Sequence, residues 1–243
     1  VRHHLIDLVD PWDEFSIAEF QAAYREVVAD LEARGKRAVL VGGTGLYVQA
    51  IVDDIDIPGQ FPEVRAEIDA DEDTVGLHRR LASLDPVAAA RMEPTNRRRI
   101  VRALEVTIGS GRPFSSYGPG LDQYPATSIE LVGLRVDRPE LDQRIADRYR
   151  AQLEAGFLGE VRTLARLPRP LSRTASQALG YKELLDHVVG DAPLEDALAT
   201  AILRTRQFAR RQERWFRRDP RITWIDAGHR DNPLVDLLAH LQG

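Results

Sequence analysis

Two clusters of arginine carry the densest charge in this sequence. Arg97, Arg98, Arg99 and Arg102 fall within six residues; Arg204, Arg206, Arg210, Arg211, Arg214, Arg217 and Arg218 fall within fifteen, opposed there only by Glu213. At 100° per residue Arg206, Arg210 and Arg217 share one helical face, with Phe208 and Trp215 opposite to dock the helix on a core. Guanidinium groups on a docked helix grip phosphate bidentately, which lysine does less well. The plainer alternative is a solvated basic helix, although like charges at i,i+4 repel. Arg98, Arg99 and Arg102 recur at spacings of three and four, with only Glu93 and Glu105 near enough to compensate. That cluster is either a solvated face or a site for RNA phosphate.

Gly42-Gly43-Thr44-Gly45 is the third candidate. A glycine-rich turn after a parallel strand lets backbone amides and a helix N-terminus face an anion. It lacks the Gly-Lys-Ser/Thr ending of a Walker A loop, and it reads equally as a tight strand–helix turn. His3 and His4 do not make a metal site: adjacent strand residues point to opposite faces, and no cysteine or second histidine pair supports them.

These residues need a folded scaffold, and the composition supplies one. The chain has 243 residues, 43% hydrophobic and 29% charged, enough for a substantial core. There is no cysteine, which excludes disulfides, thiolate metal sites and cysteine nucleophiles. The 33 basic residues against 38 acidic ones give a net charge of −5, yet 31 of the basic residues are Arg and only Lys36 and Lys182 are Lys. A mildly acidic protein with clustered Arg can hold local anion sites that its net charge conceals. The longest uncharged run, Ala38 to Val52, is too short for a membrane helix and is interrupted by Gly42, Gly43 and Gly45. Asp7 and Asp10 stand where a signal peptide would be apolar, so a cytoplasmic location is expected.

The first fifty residues predict strand, helix, strand, helix. His4 to Val9 reads as a strand, and Ser16 with Glu19 as a capping box opening a helix. Ile17, Phe20, Tyr24, Val27, Val28 and Leu31 line one face of that helix. Ala38 to Val41 reads as a strand buried on both faces, and Leu46 to Val52 as a helix. Such alternation implies a parallel sheet with right-handed crossovers. Residues 62–108 show helical periodicity and 109–125 read as loop; Ile129 to Val136 is a strand. Helices are expected near 139–155, 157–167, 175–189 and 194–218, then an edge strand over 222–225 and a short helix from Asn232. The expected organisation is an α/β core over 1–57 and 126–243, interrupted by a helical insertion at 58–125.

Read together, these segments resemble a known family. They are His3-His4-Leu5-Ile6-Asp7, Val41-Gly42-Gly43-Thr44-Gly45-Leu46-Tyr47, Asp85-Pro86-Val87-Ala88-Ala89-Ala90-Arg91, Arg99-Ile100-Val101-Arg102-Ala103-Leu104-Glu105-Val106, Leu179-Gly180-Tyr181-Lys182-Glu183, and Thr205-Arg206-Gln207-Phe208-Ala209-Arg210-Arg211-Gln212 with Trp215-Phe216-Arg217. In this order they resemble the tRNA dimethylallyltransferases. The resemblance implies a P-loop-kinase-like, nucleotide-binding parallel core and an insertion that grips the tRNA anticodon arm. The implied reaction moves a dimethylallyl group from dimethylallyl diphosphate to N6 of the adenosine just 3′ of the anticodon, adenosine 37, in a monomeric enzyme with Mg²⁺.

By the same resemblance Thr44 and Arg65 are tRNA contacts, as are Arg98, Arg99, Ile100, Val101 and Arg102, and Gln177, Ala178, Leu179, Gly180, Tyr181 and Lys182. Arg206, Arg210 and Arg211 are implied for diphosphate or tRNA phosphate. The family's P-loop and catalytic base precede the first of these segments, so they are expected N-terminal of Val1 and no catalytic residue or metal ligand is assigned in this chain. A sheet lacking that opening strand should leave an open edge and apolar surface uncovered. A catalytically inactive tRNA-binding relative is the alternative reading.

Overall fold

The computed structural model describes residues 1–228 except Pro119 and Asp191, together with Leu237. The helix expected from Asn232 lies outside the described residues apart from Leu237. The chain divides into two compact units. One comprises Ile17–Ala38 and Leu46–Ala126; the other comprises Val1–Ser16, Val39–Gly45 and the described residues from Thr127 on.

The first of these units is helical: α1 (Ile17–Ala33), α2 (Gly45–Val52, from Leu46 on), α3 (Pro62–Asp69), α4 (Thr74–Leu84), α5 (Pro86–Ala90) and α6 (Arg97–Ser110), then a 3₁₀ turn at Phe114–Tyr117. The starts of α4, α5 and α6 are capped by local side chains. Asp73 accepts from the Gly76 N–H at 2.9 Å, Asp85 from the Ala88 N–H at 3.0 Å, and Asn96 from the Arg99 N–H at 3.4 Å. Pro86 follows Asp85 at the first helical position, where its missing N–H costs nothing. Gly111, at φ +69°, ends α6 in the left-handed conformation. Helix α6 is the hub: Ile100, Val101, Ala103 and Leu104 are buried with Ile68, Leu77, Leu81 and Ala89. Gln21 ties α1 to α2 by donating to the carbonyls of Ala50 at 3.0 Å and Ile55 at 3.2 Å.

Among the described residues, the second unit joins a small parallel sheet to five helices. Strands β1 (Val132–Arg135) and β2 (Thr223–Asp226) pair in register Val132 with Thr223 through Arg135 with Asp226. A Cβ at position 133 would lie 2.7 Å from the Trp224 ring, so Gly133 is what lets the strands carry that indole. The helices are α7 (Arg138–Glu154), α8 (Phe157–Ala165), α9 (Arg173–Ser176), α10 (Tyr181–Val189) and α11 (Leu194–Phe216). Ile145, Tyr149, Phe157, Val161, Leu184, Ala197 and Ala201 form their core. The fold is mixed, with a small parallel sheet and high helical content; β1, β2, α7, α8 and α11 lie close to where their patterning predicts.

Three expectations are corrected. The helix expected over 175–189 is broken into α9 and α10, because Gly180 takes φ +86°. His4–Val9 and Ala38–Val41 are not strands; among the described residues the sheet consists of β1 and β2. An apolar run becomes a buried strand only when neighbours supply hydrogen-bonding edges and covering layers. Here Ile6 is 62%, Val39 69% and Val41 89% exposed. Leu5 and Asp7, at φ +63° and +57°, depart from extended backbone altogether.

Candidate functional site

Thr44 is exposed and stands between two glycines that α11 approaches closely. The Gln212 side-chain amide donates to the Gly43 carbonyl at 2.7 Å, and a Cβ on Gly43 would sit 2.6 Å from that amide nitrogen. A Cβ on Gly45 would sit 2.2 Å from Trp215 Cδ1. The glycines are therefore explained by packing against a helix. Trp215 docks α11 as its spacing predicts, and Arg218 lies 4.7 Å over its ring.

The same helix holds the 177–182 segment. Glu183, buried at the start of α10, accepts from the Gly180 N–H at 2.9 Å and from Arg204 at 2.6 Å. The Tyr149 hydroxyl lies 2.8 Å from Thr205 Oγ1, and a Cβ on Gly180 would come within 3.0 Å of the Tyr149 ring. Tyr181 donates to Glu160 at 2.7 Å and meets Phe157 edge-on at 4.9 Å. Burial, together with the accepting bond and charge of Glu160, pushes the Tyr181 hydroxyl up to about 12. Gln177 and Ala178 are exposed, Leu179 and Lys182 half-buried, and Gly180 buried. A cavity of about 640 Å³ adjoins this segment, lined in part by Leu179, Tyr181, Phe208 and Gln212.

The arginines of α11 separate by environment. Arg210 and Arg211 are exposed. Arg206 is half-buried and turned toward α7, where it donates to the Asp142 carbonyl at 2.9 Å. Arg138 in turn pairs with the Asp142 carboxylate at 2.7 Å and donates to the Arg206 carbonyl at 2.8 Å. Part of the Arg206 guanidinium is thus committed to positioning the helix.

In the helical unit Arg98 and Arg99 are exposed at the start of α6. Arg65 and Arg102 converge instead on the buried Glu105, at 3.2 and 2.8 Å, and that carboxylate also accepts from the Phe61 N–H at 2.9 Å. Arg102 further donates to the Pro58 carbonyl at 2.8 Å. Ile100 and Val101 are 0% and 1% exposed in the core. Helical periodicity turns these two side chains inward while Arg98 and Arg99 of the same segment face out. The first-turn Arg97 hydrogen-bonds the Asp69 carbonyl at 3.0 Å.

A family model described as IPP transferase matches residues 1–219. The chain belongs to that family. A tRNA dimethylallyltransferase of Bifidobacterium animalis subsp. lactis is 46% identical over 230 residues, covering 93% of this chain and 65% of that protein. One of Thermobifida fusca is 46% identical over 229 residues, covering 93% and 71%. The chain therefore spans about two thirds of the length of these relatives. The full-length tRNA isopentenylpyrophosphate transferase of Bacillus halodurans superposes with a TM-score of 0.66 at 33% identity, covering all of this chain and 77% of that one. A eukaryotic dimethylallyltransferase acting on tRNA shares the fold, with a TM-score of 0.71 at 24% identity over 95% of this chain and 60% of that one.

Within this IPP transferase-family chain, sequence reasoning missed Glu183, Arg204, Thr205 and Tyr149 as partners, and Glu105 as the acceptor of two arginines. The usable signal was the apolar context of the two carboxylates: Leu184 and Leu185 follow Glu183, and Leu104 and Val106 flank Glu105. A charge in such a setting requires a partner. Among the described residues no group of three or more His, Asp or Glu is arranged to hold a metal ion.

Proposed function

We infer that this chain takes part in transferring a dimethylallyl group from dimethylallyl diphosphate to N6 of the adenosine just 3′ of the tRNA anticodon. The observation that supports this best is the joining, on α11, of an exposed arginine pair to two segments with exposed residues that the resemblance assigns to tRNA. Arg210 and Arg211 are exposed on that helix, Gln212 holds the turn bearing Thr44, and Arg204 holds Glu183 beneath the 177–182 segment.

In the transfer the substrate C1–O bond breaks and a bond from N6 to C1 forms. Diphosphate leaves with the bonding electrons, and N6 gives up one proton. Arg210 and Arg211, with the outer edge of Arg206, neutralise phosphate on the departing group or on tRNA. Thr44, Gln177, Ala178 and Lys182 meet the anticodon arm, and Arg98 and Arg99 hold its phosphates from a helical insertion over 58–125. Arg65 and Arg102 serve the same surface through Glu105, which fixes their reach. Mg²⁺ accompanies the diphosphate substrate and would help neutralise its departing charge. The enzyme acts as a cytoplasmic monomer; among the described residues no helix is long and apolar enough to cross a membrane.

The test is turnover. Native protein, dimethylallyl diphosphate and undermodified tRNA should yield prenylated adenosine, read by nucleoside mass spectrometry. tRNA binding with no prenylated nucleoside would overturn the transfer reading.

A further inference from the structure

The amide of Gln212 bonds to one particular atom of the glycine turn, the Gly43 carbonyl oxygen, at 2.7 Å. That oxygen belongs to the peptide unit that carries the Thr44 N–H. The peptide unit is planar, so pinning its oxygen fixes the direction of the Thr44 N–H as well. The constraint is needed because glycines on both sides give this stretch wide backbone freedom. Trp215, three residues on and on the same side of α11, closes against Gly45, where a Cβ would meet its ring at 2.2 Å. Thr44 is left exposed between two clamped glycines.

We propose that Gln212 is a positioning residue for Thr44: its side-chain amide sets the peptide plane that presents Thr44 to RNA. The proposal rests on Thr44 being a tRNA contact, as argued above. Gln212 acts through the Gly43 carbonyl and needs no contact with RNA. Its donor nitrogen is the working atom, so a side chain of the same shape without that donor must fail.

A double-mutant cycle on tRNA binding tests this, with the Kd for unmodified tRNA as the readout and thermal unfolding as the control for folding. Thr44→Val and Gln212→Leu should each weaken binding by about fivefold, the size of one lost hydrogen bond. The double variant should bind no more weakly than Thr44→Val alone. Gln212→Glu keeps the shape but loses the donor, and should match Gln212→Leu; it also serves if the leucine variant folds poorly. Additive losses in the double variant would overturn the proposal, and so would wild-type binding by Gln212→Glu. In either case a loss in Thr44→Val keeps Thr44 as a contact. Wild-type binding by Thr44→Val would remove that contact and the proposal with it.

Discussion

Arg204 and Glu183 form an ion pair at 2.6 Å in which the carboxylate side chain is 3% exposed and the guanidinium side chain 43%. The pair joins α11 to the first turn of α10, and the second carboxylate oxygen accepts from the Gly180 N–H at 2.9 Å. Desolvation falls almost wholly on Glu183, so the cost of breaking the pair is asymmetric. Arg204→Leu should destabilise the protein by roughly 2–3 kcal/mol, because it strands a buried carboxylate. Glu183→Gln keeps the shape and should cost less, since the abandoned arginine can hydrate. Urea denaturation of the two variants checks the order, and equal losses would contradict it.

Gly43 and Gly45 face α11 through different obstacles, which predicts different tolerance. Gly43→Ala meets the far end of a flexible side chain, and Gln212 can swing away. Gly45→Ala meets an indole ring at 2.2 Å and has no such relief. Gly43→Ala should cost less than about 1 kcal/mol, and Gly45→Ala about 2 kcal/mol or more, as overpacking does. Thermal melts of both variants would show the difference as separate shifts in Tm.

Asp85 predicts a response to acid. It is buried, and burial pushes its pKa up; hydrogen bonds from the Ala88 and Ser115 N–H groups and the Ser115 hydroxyl, with the charge of Arg91, more than offset this and hold it below the ordinary value. A carboxyl depressed in the folded state contributes stability above its unfolded pKa, about 3.9, and loses that contribution as pH falls through the folded value. Stability measured from pH 6 down to pH 2 should therefore fall with acid partly on account of this residue. Asp85→Asn should lower stability at pH 6 and flatten the slope. An unchanged slope would exclude Asp85 as a contributor.

Arg98 and Arg99 project from α6 while Ile100 and Val101 anchor it. Replacing both arginines with Gln should leave stability within about 0.5 kcal/mol of wild type, as exposed substitutions do. The slope of log Kd for tRNA against log salt should become shallower by about 1–2. A slope that does not move would make the pair a solvated face.

Local chemistry made much of this fold legible. Asp85 before Pro86 and Asn96 before the arginine run announce helix starts, because a cap is satisfied within four residues of itself. The apolar periodicity of α1 and α11 and the strands around Val132 and Ile225 needed no distant partner to be recognised. The patterning alone also marked Trp215 as a docking residue of the arginine helix.

Other features depended on what each segment meets. The run Ala38–Val41 has strand composition, but strand formation needs edges and cover that its own residues cannot provide. Arg206 and Arg210 share a sequence face, yet Asp142 of α7 engages one while the other stays exposed. The glycine turn suggested an anion cradle from its own four residues; Gln212, reaching Gly43 across 169 positions, made it a clamped perch for Thr44. The sequence by itself determined the positions of most late helices, the arginine clusters and the family, because these rest on contacts or patterns a few residues long. The tertiary structure alone decided which arginines stay exposed and which are tied to carboxylates or carbonyls, because hydrogen bonds and burial depend on neighbours the local chain does not contain.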